Sequence, residues 1–256
     1  MNTHVEEGFV QSETKDNITT IEFFHPQSNS LPGILLEKLA EEIKLGGLSS
    51  NSTVMILKSK GSKTFCAGAS FDELLQITTA EQGLRFFSGF AKVINAIRVC
   101  PKFVIAQIQG KCVGGGVGIA AAADYAIAVE TADIKLSELA VGIGPFVVGP
   151  AVERKIGTSA FSALSIDASS WRNSAWAINN GLFAEVHATE ELMKEAAQKL
   201  ATTLSASSPE AMAELKKVFW KGTEDWDSLL LERAAISGRL ILSEFSRNAI
   251  EKFKTK

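Results

Sequence analysis

Two glycine-containing stretches and one glutamate are the parts of this chain whose residue types and spacing could do chemistry. The first stretch is Lys63-Thr64-Phe65-Cys66-Ala67-Gly68-Ala69-Ser70-Phe71, and the second runs Ile108-Gln109-Gly110-Lys111-Cys112-Val113-Gly114-Gly115-Gly116-Val117-Gly118. Each follows a strand-like run. Small residues at a strand-to-helix transition let a ligand atom approach the main chain, and a helix start presents N–H groups with no internal partner. Such groups attract a developing oxyanion. Each stretch taken alone reads equally as a tight turn or a close helix contact. The glutamate is Glu138, set among Leu136, Leu139 and Val141. That apolar company favours partial burial, which raises a carboxyl pKa toward the range useful for proton transfer. A surface or capping role for it stays open.

Other chemistries find less support. Gly116-Val117-Gly118-Ile119-Ala120-Ala121 fits the dinucleotide fingerprint, with Glu130 ending the next strand. That fingerprint needs a full helix within a unit of ~30 residues, and the short interval from Gly118 to Tyr125 leaves no room for one, so a dinucleotide site is rejected. His4, His25 and His187 show no metal-ligand spacing, and no metal is expected. Cys66, Cys100 and Cys112 form neither a CxxC motif nor a disulfide framework; Cys66 and Cys112 read as small buried residues rather than nucleophiles.

These groups need a scaffold, and the apolar pattern supplies an α/β one. Residues 18–24 and 54–57 read as strands, with a helical repeat between them through Leu35, Leu36, Leu39, Ala40 and Ile43, ended by Gly46-Gly47. A stripe of Phe86, Phe87, Phe90, Val93, Ile94 and Ile97 defines a further helix closed by Pro101. Residues 103–108 and 125–129 read as strands around a small-residue helix at 114–122. Alternating strands and helices argue for parallel pairing. Beyond residue 188 no strand is expected, and residues 190–204, 209–221 and 226–254 read as helices. The expected organisation is an α/β core over 1–188 and a helical subdomain over 189–256.

Composition bounds the setting. The chain has 256 residues, 46% hydrophobic and 21% charged, with a net charge of −3. Its overall charge offers no attraction to nucleic acid or an anionic membrane. The opening residues lack a secretory or transit pattern, and the longest nearly apolar run, 113–123, falls far short of the ~20 residues of a spanning helix. A cytoplasmic, reducing location is the expectation.

Taken together, the stretches resemble the enoyl-CoA hydratase/isomerase (crotonase) family. Phe65-x-Ala67-Gly68-Ala69 is similar to its first oxyanion-hole motif, and Ile105-Ala106-Gln107-Ile108-Gln109-Gly110-x-x-x-Gly114-Gly115-Gly116, continuing to Ala123-Asp124, is similar to its signature. Ala132 to Gly142, with Pro145 following, resembles the motif that carries a catalytic glutamate. Fainter echoes are His25-Pro26-x-x-Asn29-x-Leu31 and Asn180-Gly181-Leu182-Phe183. The resemblance implies a crotonase-like spiral of ββα units and a C-terminal helical region that covers the active site and assembles the chain into a homotrimer or a hexamer built as a dimer of trimers. It implies an acyl-CoA substrate, with coenzyme A as part of the substrate and no separate cofactor. It places the thioester oxygen between the N–H groups of Ala69 and Gly115, with Glu138 as acid/base. Ala67, Gly68, Phe71, Gly114, Gly118 and Phe146 are the implied substrate-binding positions.

The sequence departs from that family at three places. Hydratases of the family use a second glutamate two residues after the glycine triplet, where this chain has Gly118. One carboxylate suffices for single-base chemistry such as double-bond isomerisation, which is therefore favoured over plain hydration. A true hydratase on a branched, methylglutaconyl-type substrate, an acyl-CoA decarboxylase and a non-catalytic acyl-CoA-binding protein are the competing readings. Ser70 replaces an aspartate of mostly structural role, and Gly144-Pro145-Phe146-Val147-Val148 is bulkier than the usual loop. Phe146 and Val147 there either shape the acyl pocket or simply pack the core.

Overall fold

The computed structural model describes residues 8–254; His4 and the opening residues lie outside them. The chain repeats one pattern: a strand enters a large sheet, a short strand turns off into a smaller one, and a helix returns. The first turn is β1 (Phe9–Lys15), β2 (Ile18–Phe24), β3 (Ser30–Leu31) and α1 (Gly33–Leu48). The second is β4 (Val54–Ser59), β5 (Thr64–Cys66), β6 (Gly68–Ala69), α2 (Phe71–Leu74) and α3 (Ala80–Val99). The third is β7 (Phe103–Ile108), β8 (Lys111–Val113) and α4 (Gly115–Ala122); the fourth is β9 (Tyr125–Val129), β10 (Ile134–Lys135) and α5 (Gly149–Ile166). After α6 (Ser174–Asn179) and β11 (Glu185–His187) come α7 (Glu190–Ser205), α8 (Pro209–Phe219), α9 (Trp226–Leu240) and α10 (Glu244–Lys254). This is the crotonase-like α/β spiral with a helical C-terminal part.

The large sheet has the order β1-β2-β4-β7-β9-β11, antiparallel only between β1 and β2. Its central strands are buried on both faces, which is why they read as unbroken apolar runs such as Val54 to Leu57. The smaller sheets are β10-β8-β5 and β3-β6. α7 packs on the large sheet, against β4, β7 and β9. Among the described residues no helix is long and apolar enough to cross a membrane.

Besides the strands of two or three residues and the shortest helices, three elements differ from the sequence reading. β1 was not expected, because a twisted edge strand with only Val10 buried carries no alternation to find. α5 was not expected either, since it starts at Gly149-Pro150 and is interrupted by Gly157 at φ 77°. The single helix expected over 226–254 breaks between α9 and α10, where the Ser243 hydroxyl accepts the Ser246 N–H at 3.2 Å, as an N-cap does.

Two interactions hold the parts that matter for the site. Asp124, at the end of α4, accepts hydrogen bonds from Val104 N–H (2.8 Å), Lys216 Nζ (2.8 Å) and Trp220 Nε1 (3.3 Å). That ties α4 to β7 and α8 through a buried ion pair. α3 and α9 cross with Gly83 against Gly238: a Cβ on Gly83 would lie 2.6 Å from Gly238 Cα. Backbones this close leave no room for a side chain. Gly238→Val is therefore expected to destabilise the fold by about 3 kcal/mol and to lower Tm in thermal unfolding, whereas Leu231→Val, on an exposed part of α9, changes it little.

Candidate active site

The first stretch changes sheets within a few residues. β5 pairs with β8, Cys66 opposite Cys112, and two residues later β6 pairs with β3, Leu31 opposite Ala69. Gly68, at φ 89°, makes the crossing, a conformation that L side chains rarely adopt. Ser70 N–H donates to Leu31 C=O at 3.2 Å. Successive N–H groups of an extended strand point to opposite sides, so the Ala69 N–H faces away from β3 and is left for another acceptor. Ser70 then caps α2, its hydroxyl accepting Glu73 N–H at 3.4 Å.

The second stretch leaves β8 through Gly114 at φ 52°, ψ −113°, whose own N–H donates to Lys135 C=O at 2.9 Å. α4 begins at the next residue. Val117 and Gly118 N–H both donate to Gly114 C=O, at 2.9 and 3.2 Å, while the N–H of Gly115, the first helical residue, has no intrahelical acceptor. The two stretches touch: a Cβ at Gly68 would lie 3.0 Å from Val113 C=O oxygen and 3.5 Å from Gly115 N. A Cβ at Gly115 would collide with the Phe90 ring of α3.

Glu138 opens a 3-10 turn, Glu138–Val141, closed by Ile143 N–H donating back to Glu138 C=O at 3.1 Å. Its Oε1 sits 2.9 Å from where a Cβ on Gly114 would be, so the carboxyl lies over the residue that precedes Gly115. The residue is half-buried, but its Oε2 is fully buried with no hydrogen-bond partner. Burial pushes its pKa up to about 7, against a smaller opposing hydrogen bond from its own backbone N–H. A carboxyl oxygen buried without a hydrogen-bond partner makes ionisation costly, which is why the pKa stands near neutrality.

Of the positions expected from the sequence, Ala67, Gly68, Ala69, Phe71, Gly114, Gly115, Glu138 and Phe146 line one narrow, mostly apolar cavity of about 70 Å³. Gly118 stands apart, further along α4 and buried against Val148; a Cβ there would lie 2.7 Å from Val148 Cβ and nearer still to its methyl. The space a second carboxylate would need is filled by a branched side chain.

The cavity wall also takes in Phe87 and Phe90 from the aromatic stripe of α3 and Val141 at the end of the 3-10 turn, together with two residues that the sequence did not single out, Ile143 beyond that turn and Ser237 from α9. Asn29 ties the turn after β2 to the segment joining β4 to β5: the side chain accepts His25 N–H at 2.8 Å and donates to Lys60 and Thr64 C=O, both at 2.9 Å. The His25-Pro26-x-x-Asn29 echo was the available signal for it. Cys66 and Cys112 are buried, which pushes the Cys66 thiol up to about 12 and raises Cys112 well above its usual value, so neither supplies a thiolate. Among the described residues no group of three or more His, Cys, Asp or Glu is placed to hold a metal.

The arrangement combines main-chain donors at a strand edge and a helix start with one carboxyl able to give or take a proton. It suits proton transfer at a carbon next to a carbonyl. Comparisons with known proteins agree with it. The family model described as enoyl-CoA hydratase/isomerase matches residues 13–252. YngF of Bacillus subtilis, a candidate enoyl-CoA hydratase/isomerase, is 32% identical over 212 residues, 82% of this chain and 80% of that protein. The short-chain-enoyl-CoA hydratase of Clostridium acetobutylicum is 27% identical over 95% of this chain and 94% of its own. The crystal structure of an enoyl-CoA hydratase from Bacillus halodurans superposes with a TM-score of 0.86 at 23% identity, covering 95% of this chain and 99% of that one.

The raised pKa of Glu138 has a consequence for stability. Below the unfolded value of 4.5 the carboxyl is neutral in both states and has no effect; as pH rises through 4.5 toward 7 only the unfolded chain ionises, so the folded state loses stability. Glu138→Gln is expected to raise unfolding free energy by as much as ~3 kcal/mol at pH 8 and by little at pH 4, measured by urea denaturation. At Gly118, Gly118→Ala is expected to cost about 2 kcal/mol by overpacking, most of it recovered in Gly118→Ala/Val148→Ala, measured the same way.

Proposed function

The chain belongs to the enoyl-CoA hydratase/isomerase family, and from that premise we propose that this enzyme moves a proton between carbons of an acyl-CoA thioester, with Glu138 as its sole proton carrier. In this reading the thioester oxygen lies between the N–H groups of Ala69 and Gly115. The Glu138 carboxylate removes a proton from a carbon conjugated with the thioester. The C–H bonding pair moves into the π system, and negative charge collects on the thioester oxygen, where each amide contributes ~3 kcal/mol to the transition state. The neutral Glu138 carboxyl then returns its proton to a different carbon. The double bond has shifted, the carboxylate is regenerated, and no water or redox partner has been consumed.

The observation that carries this reading is Val148 against Gly118. Hydration needs one group to activate water and another to protonate carbon. Here a branched apolar side chain stands where a second carboxylate would reach, and the cavity is lined mostly by apolar atoms. A Glu138 pKa of about 7 fits one residue that acts first as base and then as acid. Coenzyme A enters as part of the substrate. A further part of the proposal is assembly into a trimer, or a pair of trimers, through the part over 189–256. Leu139 and Phe245, exposed at 51% and 65% beside the 3-10 turn, are apolar surface that such a contact would cover.

The test uses short-chain 2- and 3-enoyl-CoA in heavy water and, separately, in oxygen-18 water, with products followed by mass. Deuterium is expected in an isomerised or exchanged enoyl-CoA, with no oxygen-18 in any 3-hydroxyacyl product. Rates should rise with pH and level off above about 8, because the base form of Glu138 appears as pH passes about 7. Glu138→Gln should lower turnover about a thousandfold and leave acyl-CoA affinity within threefold. An unchanged rate in that variant, or oxygen-18 in a hydroxyacyl product, overturns the proposal.

A further inference from the structure

We infer that Phe146 sets the acyl-chain length this enzyme accepts: its ring closes the cavity around the first carbons of the chain, and behind it lies a groove that takes a longer chain only when the ring is displaced. The inference rests on the acyl-CoA reading above and names the substrate class as short, uncharged acyl thioesters.

Pro145 and Phe146 belong to the walls of two separate spaces. On one side is the cavity of about 70 Å³ that contains the Glu138 carboxyl. On the other is a groove of about 330 Å³ walled by Pro150, Phe161 and Ile166, with Glu153, Ser162 and Arg233 on its polar side. α9 runs along both, since Ser237 lines the cavity and Arg233 the groove. Those residues are four apart, one helical turn or about 6 Å along a shared face. The spaces are neighbours, and the Phe146 ring stands at their boundary.

The ring is held there by shape. A Cβ on Gly144 would lie 2.7 Å from Phe146 Cε2 and Cζ, so the ring is seated over the glycine two residues before it. Phe161, across the groove, sits over Gly149 in a similar way, 3.0 Å from where a Cβ would be. Phe146 is only half-buried, unlike Val147 and Val148 beside it. It can therefore be shortened without opening a hole in the main core. The groove also indicates what the far end of a chain would be. Glu153 and Arg233 line it with opposite charges, and Glu153 accepts a hydrogen bond from Thr158 Oγ1 at 2.6 Å. With one charge of each sign it offers no net attraction to a charged terminus, while its apolar walls suit an alkyl end.

Binding of saturated butyryl-, octanoyl- and dodecanoyl-CoA, which undergo no double-bond shift, separates this inference from the catalytic one; calorimetry on the full chain gives the affinities. The wild type should bind butyryl-CoA at least as tightly as octanoyl-CoA. Each additional buried methylene is worth about fourfold in affinity. Phe146→Ala should therefore shift the ratio of octanoyl-CoA to butyryl-CoA affinity at least about tenfold toward octanoyl-CoA. Phe146→Ala/Ser162→Phe, which refills the groove from its far wall, should return that ratio to below that of Phe146→Ala. A general loosening of the fold would not be reversed in this way. The inference is overturned if the wild type already prefers octanoyl-CoA tenfold, if Phe146→Ala shifts all chain lengths equally or none, or if the double variant keeps the shifted ratio. A wild type that binds no acyl-CoA at all would also overturn the function proposed above, whereas binding with the wrong length profile would overturn only this inference.

Discussion

The site depends on main chain meeting main chain without intervening side chains. Gly68 stands against Val113 and Gly115, Gly116 against the Cys66 carbonyl, and Gly110 against Lys63 and Thr64. At each of these points a methyl group would force backbone apart. Two segments from different turns of the spiral are thereby pressed together, and Ala69 and Gly115 both line one cavity. Donors fixed in this way need no reorganisation when charge develops on a ligand oxygen, which is what makes backbone amides effective in such a role.

The carboxyl over this contact is placed at a cost. Glu138 Oε2 is buried without a partner, and the 3-10 turn that carries it is held by its own backbone bonds and by packing against α5 and α10. The rest of the fold offsets that cost with well-satisfied polar groups elsewhere. Asp124 gathers Lys216, Trp220 and the Val104 amide at one end of α4, and Lys155 donates to the carbonyls of Ala123 and Asp124 at 2.9 and 3.3 Å. The helix whose first residue lines the cavity is thus anchored at its far end by a dense hydrogen-bonded cluster. An acidic group with one oxygen buried and unpartnered, beside a well-braced helix, is the arrangement expected where stability yields to reactivity.

Legibility followed burial. Strands β4, β7 and β9 were readable because both of their faces are covered and their runs are almost wholly apolar, and β2 because it is rich in β-branched and aromatic residues. β1, with one face and one edge open, left no pattern. The short strands β3, β5, β6, β8 and β10 are two or three residues long, too short for any period, although they are what brings the two glycine stretches together. α9 and α10 read as one helix because Leu240 to Ser246 keeps helical composition, and only a serine cap breaks it. Within the site, glycines and a glutamate in apolar company were visible. Ser237 was not, and Phe87 and Phe90 were visible only as part of a helix stripe, since nothing local distinguishes a core phenylalanine or a helical serine from one that faces a ligand.

The sequence by itself determined which chemistry was available: small residues where backbone must be approached, a single glutamate among apolar neighbours, and glycine at position 118. Those are properties of residue type, fixed before folding. Tertiary structure alone decided that Val148 closes the space beside Gly118, that the Glu138 carboxyl lies over Gly114, and that Phe146 stands between a cavity and a groove. Each of these joins segments that no local pattern links. A contact of that kind is set by the packing of the whole spiral, and no window of sequence contains it.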